Sequence, residues 1–323
     1  RLEELYVEYN HKGTHLTLGK IEVESPMVHI HDGRMKPKVF SGLLGIQKLK
    51  NFDVHAGWFV GASPRSTTHW YRIDEAIGIY NNGCLENGDQ ADYRGHLNSS
   101  GLGIFGAQWK RKHLELQIWD YALDNISNTT LAKVDFEKDS SWRYGLMYMH
   151  QFALNKGGSA TEAHSFHREY EKTHAVSAMI GYDFNSIEVS AASTAILNTG
   201  RYVFPREFGV DPFYTFISRS QLEGLGDAYA FDVKLKKKFT HWEISCDWNR
   251  VLTSSNLRLN KYNIPSYDQY NLDITYDFHG ALKGLSARFL YVYRNGIQAN
   301  LTAAQVFNKV DFHQLNLIFN FHF

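Results

Sequence analysis

The chain of 323 residues contains no run of about eighteen apolar side chains, the length a helix needs to cross a lipid core. A transmembrane helix is therefore excluded. Cysteine is scarce: Cys84 and Cys246 stand far apart, without the spacing of a metal site, and are read as incidental. An excess of charge of one sign is also lacking. Thirty-four Lys and Arg balance thirty-four Asp and Glu, which removes the electrostatic case for a nucleic-acid partner. No Gly-x-Ser-x-Gly turn is present and no nucleophile and base pair stands out, so neither an enzyme nor a cofactor is expected. His164, His167 and His174, interleaved with Glu162, Glu169 and Glu171, lack the spacing of a zinc helix, as do His29 and His31 beside Asp32. Both groups are read as solvated loop, and no metal is expected. The chain opens at Arg1 without an initiator Met or a signal peptide, the expectation for a mature or truncated N-terminus.

What is abundant is aromatic. Phe, Tyr and Trp make up 15% of the chain, as 21, 19 and 7 residues, more than an ordinary globular enzyme needs. Aromatic girdles at two membrane interfaces would consume that supply. The last nine residues show how it is used: Leu315, Leu317, Phe319, Phe321 and Phe323 fall on one face, and Gln314, Asn316, Asn320 and His322 on the other. A strand of a transmembrane barrel must show apolar side chains to lipid and polar ones to a wet lumen. An edge strand of a soluble sandwich is the alternative for this segment alone. The mean hydropathy of −0.38 agrees with a barrel, because only alternate strand residues meet lipid and the loops are polar.

About fifteen strand candidates follow one another, most near the ten residues a tilted strand needs to cross a membrane. Tight connections (Asn10 to Gly13, Lys50 to Asp53, Lys110 to His113, Lys138 to Ser141, Asn185-Ser186, Lys237 to Thr240, Gly280 to Gly284) alternate with longer ones. The longer set is Glu24 to Phe40, Pro64 to Ser100, Asp124 to Thr129, Asn155 to Lys172, Asn198 to Asp227, Thr253 to Tyr267 and Asn295 to Lys309. Short turns on one side and long loops on the other are the layout of an outer-membrane barrel, turns periplasmic and loops extracellular. The fold class is thus all-β, a transmembrane antiparallel β-barrel formed as a single domain by residues 1–323.

Facing follows from the period of two. Tyr229, Phe231, Val233 and Leu235 are assigned to lipid, as are Trp242, Ile244, Cys246 and Trp248, Tyr270 to Phe278 in alternation, and Trp142, Tyr144, Leu146 and Tyr148. Arg143, Asp232, Lys234, Lys236, Glu243, Asp247, Asp273 and Asp277 then point inward, as do Glu4 and Glu8. So many charges on one face, each stripped of hydration without an assured partner, imply a lumen that holds water.

Two long connections carry a resemblance. Gly19-Lys20, Pro26, Asp32-Gly33-Arg34, Pro37, Phe40 and Gly42 look like the segment around the third extracellular loop of the OprD family of substrate-specific porins. The stretch Arg206-Glu207-Phe208-Gly209-Val210-Asp211-Pro212-Phe213-Tyr214-Thr215-Phe216, continuing to Arg219 and Glu223-Gly224, resembles that family's seventh loop. Three long connections lie between them, as that numbering requires. The family fold has eighteen strands, so the resemblance implies that these fifteen are strands 4 to 18 and that about three N-terminal strands precede them.

The resemblance further implies an outer-membrane channel for passive diffusion of small polar, carboxylate-bearing solutes in a Gram-negative bacterium. Its lumen would be narrowed by loops 24–40 and 198–227. By position, Asp32, Arg34 and Lys36 would stand in the first constricting loop and Arg206, Asp211, Tyr214 and Arg219 in the second, with Pro26, Pro37, Pro205 and Pro212 stiffening the backbone. A salt-bridge and turn cluster that only holds the loop's shape is the competing reading for Arg206, Glu207 and Asp211. Inward Arg143, Lys234, Lys236, Arg288 and Arg294 form the candidate basic track, though the inward carboxylates depart from a purely basic wall. The expected partners are outer-membrane lipid and small-molecule solutes, with a homo-oligomer or subunits of an outer-membrane complex left open. The alternative function is a structural or partner barrel of a larger assembly with a plugged lumen.

Overall fold

The computed structural model describes residues 4–29, 37–65, 67–138 and 141–321. Alternating hydropathy and β-branched or aromatic side chains give strands β1 (Leu5–His11), β2 (Thr14–Ile21), β3 (Val39–Lys48) and β4 (Phe52–Ser63). A two-residue stub, β5 (Tyr71–Arg72), leads into the single-turn helix α1 (Ile73–Ala76). There follow β6 (Leu102–Arg111), β7 (Leu114–Leu123), β8 (Ser127–Lys138), β9 (Trp142–Ala153), β10 (Lys172–Phe184) and β11 (Ile187–Ile196). The last five are β12 (Ala228–Lys238), β13 (Trp242–Leu252), β14 (Tyr267–Asp277), β15 (Leu285–Gly296) and β16 (Phe312–Phe321), with helix α2 (Ala303–Val306) before β16.

Every long strand pairs antiparallel with its sequence neighbours in one meandering sheet, and β5 pairs only with β4. The described residues pair β1 and β16 on one side each. All side chains of β1 are exposed, Glu8 among them. The sheet is strongly curved. Asp135 on β8 and Arg294 on β15 are seven strand spacings apart, roughly 34 Å in a flat sheet. Both are nevertheless bonded to a six-residue stretch of one loop, by Tyr214 and by the Arg219 carbonyl, and the five steps between those residues span at most about 18 Å. The inward face therefore wraps around that loop.

Six of the seven tight turns and six of the seven long connections fall where the alternation puts them, and the Gly280 to Gly284 turn widens to residues 278–284. Asp124 to Thr129 differs: only residues 124–126 connect β7 to β8, with Asn125 at φ 62° making the reversal. Asn128 reads as loop because it is polar, yet it sits in β8, where it and Thr130 donate to Asp120 at 2.9 and 2.8 Å on the outward face of the sheet.

The outward faces match the period of two. Tyr229, Phe231, Val233 and Leu235 on β12 remain 43–50% exposed, the condition of side chains that meet lipid. Aromatics gather at both strand ends: Trp242 and Tyr276, 4.4 Å between centroids, at the tight-turn end, and Tyr270 and Tyr293, 6.1 Å apart, at the long-loop end. Such belts suit the two interfaces of a bilayer. The apolar core forms between inward-folded loops and the inner faces of the strands rather than against a second sheet. Met27, Val28, Phe59, Ile73, Ile77, Tyr202, Val203 and Phe208 are fully buried, packed against the inner ends of the strands.

Candidate pore constriction

Residues 22–29 and 37–38 meet the segment 198–227 inside the sheet. Val28 and Gly209 form an antiparallel bridge, and the Val210 amide donates to the Met27 carbonyl at 3.3 Å. The Lys38 ammonium donates to the Gly209 carbonyl at 2.7 Å, and Phe40 packs edge-on against Phe208. A Cβ on Gly209 would stand 1.6 Å from the Met27 carbonyl oxygen, so only glycine permits the approach. The wall joins in through Tyr121, whose hydroxyl donates to Ser25 Oγ at 3.1 Å and accepts from the Met27 amide at 3.2 Å.

A loop inside a barrel has no neighbouring strand to satisfy its backbone, and each buried N–H or C=O left alone is costly. Short polar side chains on the inward faces do that work here. Gln151 on β9 accepts from the Val203 amide at 3.0 Å and donates to its carbonyl at 2.7 Å. Ser177 on β10 accepts from the Tyr214 amide, Thr194 on β11 meets Thr215, and Asn249 on β13 donates to the Thr215 carbonyl. Gln269 and Asn271 on β14 both donate to the Ser218 carbonyl, at 2.8 and 3.0 Å.

The sequence-assigned residues fall into several situations. Asp32, Arg34 and Lys36 lie outside the described residues. Asp211 is buried, accepts from the Leu222 amide, and burial pushes its carboxyl up to about 7. Arg206 lies 5.4 Å over the Tyr262 ring beside Glu223, which itself holds Lys261 at 3.0 Å and the Tyr262 hydroxyl at 2.6 Å. Glu207 turns the other way and accepts from the Gly78 and Tyr80 amides at 3.1 and 2.9 Å. Arg219 is exposed at φ 75°. Tyr214 donates to Asp135 at 2.6 Å and lies under the Lys133 ammonium, 4.9 Å from the ring centroid.

The inward cations are paired rather than free along a wet wall. Arg143 bonds Asp183 at 3.2 Å and Glu188 at 2.5 Å; Lys234 pairs with Asp247 at 3.3 Å and Lys236 with Glu243 at 2.7 Å. Arg288 grips Asp273 through Nε and Nη2. Arg294 is buried, bonded to Gln269 and to the Lys309 and Arg219 carbonyls, with Tyr267 4.1 Å beneath it. The expectation that these charges need water for lack of partners is therefore corrected: carboxylates and loop carbonyls supply the partners, and Asp232, Asp247 and Asn249 are buried.

Between the two segments remains an open space of about 490 Å³. Glu24, Ser25 and Pro26 line it from the first segment, Asp211, Pro212, Phe213 and Phe216 from the second, and Gln108, Gln117 and Lys133 from β6, β7 and β8. These last three are absent from the sequence-based candidates, although the period of two through Leu131-Ala132-Lys133-Val134-Asp135 turns Lys133 and Asp135 inward. Lys133 is held 3.1 Å from Asp135.

A family profile described as outer membrane porin, OprD family, matches residues 7–214. Among solved structures, OccK3 (OpdO) of Pseudomonas aeruginosa superposes with a TM-score of 0.76 at 15% identity, over 98% of this chain and 78% of that one. OccD3 (OpdP) of the same organism gives 0.75 at 13%, over 99% and 77%, and OccAB2 of Acinetobacter baumannii gives 0.74 at 15%, over 97% and 75%. A search of curated proteins found no match. With the profile covering well over half of a barrel whose loops fold inward, the chain belongs to the OprD family of outer-membrane porins of Gram-negative bacteria, channels rather than enzymes.

Proposed function

We propose that this porin passes small solutes bearing a carboxylate, with segments 22–38 and 198–227 of its single barrel domain setting the narrowest section. The observation that carries the reading is the space between those segments, with Lys133 on its wall. That opening supports conduction over a plugged lumen serving an assembly. In this reading Lys133 meets the solute carboxylate and Gln108 and Gln117 its hydroxyls. Arg206, Asp211, Tyr214 and Arg219 shape the loop, and Arg143, Lys234, Lys236, Arg288 and Arg294 supply paired, dipolar wall positions.

A carboxylate about 4 Å from the Lys133 ammonium and about 6 Å from the Asp135 carboxylate keeps roughly 1.4 kcal/mol of net attraction at an effective dielectric near 20, about a factor of ten in occupancy. A similar structure, OpdK of P. aeruginosa, was solved with vanillate, itself a carboxylate. Liposome swelling tests the reading. Lys133→Gln should slow a series of small carboxylates several-fold while sparing neutral sugars of equal size, and high salt should shrink the difference. Equal rates for both solute classes in the native protein would refute the carboxylate preference.

A further inference from the structure

We propose that the long-loop, extracellular end carries a binding site for a divalent transition-metal ion, built from Asp92, His96 and His164. Their candidate ligand atoms all lie within 4.8 Å of one another. Ligand atoms around a tetrahedral ion at 2.0–2.1 Å stand roughly 3.3 Å apart, so the set closes when the His96 and His164 rings turn out of their parallel stack to aim both nitrogens at one ion. Two imidazoles and one carboxylate suit an ion of borderline softness such as Zn²⁺, rather than Ca²⁺ or Mg²⁺, which take oxygen.

The sequence builds half of the site locally. Asp92-Tyr93-Arg94-Gly95-His96 is a turn closed by the His96 amide on the Tyr93 carbonyl at 3.1 Å, with Gly95 at φ 78°. It returns His96 Nε2 to 3.7 Å from Asp92 Oδ2. The other half comes from the β9–β10 connection, where a 3₁₀ turn, Glu162–His164, presents His164 stacked on His96 with centroids 3.9 Å apart.

The two segments are locked together independently of any ion. Tyr93 packs edge-on against buried Phe166 at 5.3 Å, and the Asn98 amide donates to the Gly158 carbonyl at 3.0 Å. The donors thus stand on a fixed frame, while Asp92 and His96 are exposed enough for water to complete the coordination. An ion held here staples the β4–β6 connection to the β9–β10 connection at the mouth of the pore. His167, grouped with His164 in sequence, is fully buried beside Glu171 and takes no part. His174 stacks instead on His150, 4.5 Å away on a different part of the surface, and serves as a control.

Calorimetric titration of the detergent-solubilised porin with Zn²⁺ tests the site, using native protein, His96→Ala, His164→Ala, Asp92→Asn and His174→Ala. Unchanged heat-modifiable migration in gels establishes that each variant is folded. The expected result is one saturable ion per chain, weakened about tenfold or more by either His96→Ala or His164→Ala and untouched by His174→Ala. Cu²⁺ bound to the native protein should show two coordinating nitrogens by electron paramagnetic resonance, and one in His164→Ala. No saturable binding, native affinity in folded His96→Ala or His164→Ala, or loss on His174→Ala would overturn the assignment.

Discussion

Gln151 offers the sharpest test of how the constricting loop is held. It is 0% exposed on β9, and its amide does for Val203 what a neighbouring strand would do, accepting from the N–H at 3.0 Å and donating to the C=O at 2.7 Å. Its Nε2 also donates to Thr129 Oγ1 at 2.7 Å. Leucine at this position keeps the volume and removes the amide. Val203 is itself buried, so both of its backbone groups lose their partner away from water, at about 1–3 kcal/mol each. Allowing for relaxation, about 3 kcal/mol is lost from the docked loop, roughly a hundredfold in the docked-to-undocked ratio. The ladders of β9 with β8 and β10 are untouched, so the barrel itself should survive. Single-channel recording in planar bilayers reads the result. Gln151→Leu should show frequent excursions to a higher conductance that are rare in the native protein, with unchanged heat-modifiable migration. A folded Gln151→Leu barrel with native conductance and native noise would show that the loop does not limit the pore.

Gly209→Ala should act from the other side of the same clamp: its Cβ would meet the Met27 oxygen at 1.6 Å, and separating the segments should cost about 2–4 kcal/mol. Higher mean conductance and weaker discrimination between solutes in swelling assays are expected. Asp211 should make the loop pH-sensitive. Its folded carboxyl is raised from 3.8 to about 7, so the docked state holds a proton that the released loop gives up, and docking weakens as pH rises from about 4 to 7. Conductance noise should therefore grow from pH 5 to pH 7 and become flat in Asp211→Asn. Lys38, lowered to about 7 chiefly by burial, has the opposite linkage: its contribution is lost as pH falls from about 10.5 towards 7, so noise should decline again above pH 8.

The strands and their facing were legible because the barrel imposes one simple rule, alternation between lipid and lumen, on nearly every strand. The rule failed at Asp124 to Thr129, where Asn128 has loop-like chemistry but sits in β8 and, with Thr130, serves Asp120 on the outward face. The pairing of inward charges was half legible. Lys234 stands directly opposite Asp247, a register that follows from the short β12–β13 turn. Arg143 instead reaches Asp183 and Glu188 on two further strands. The surroundings of Arg206 were not legible at all. Tyr262 reaches it from a different long connection and Glu223 from the far end of its own, and nothing local in the sequence fixes how those segments cross.

Pairing changes what a charged wall does. A cation with its counter-ion about 3 Å away presents a dipole, whose field falls off faster than that of a bare charge and is further screened beyond about 8 Å at physiological salt. The Lys234–Asp247, Lys236–Glu243 and Arg288–Asp273 pairs therefore impose little bulk ion preference, which accords with a chain of zero net charge. Discrimination must then come from contact range, where a solute is near enough to feel one end of a pair. The described structure provides that range where the loops leave about 490 Å³ against the wall. There the Asp135 carboxylate is already engaged by the Tyr214 hydroxyl at 2.6 Å, which spreads its charge and leaves the Lys133 ammonium the less compensated partner. In the proposed function, Tyr214, placed by the loop, thereby tunes a cation placed by the strand, and the fit of loop to wall is a determinant of which solutes pass.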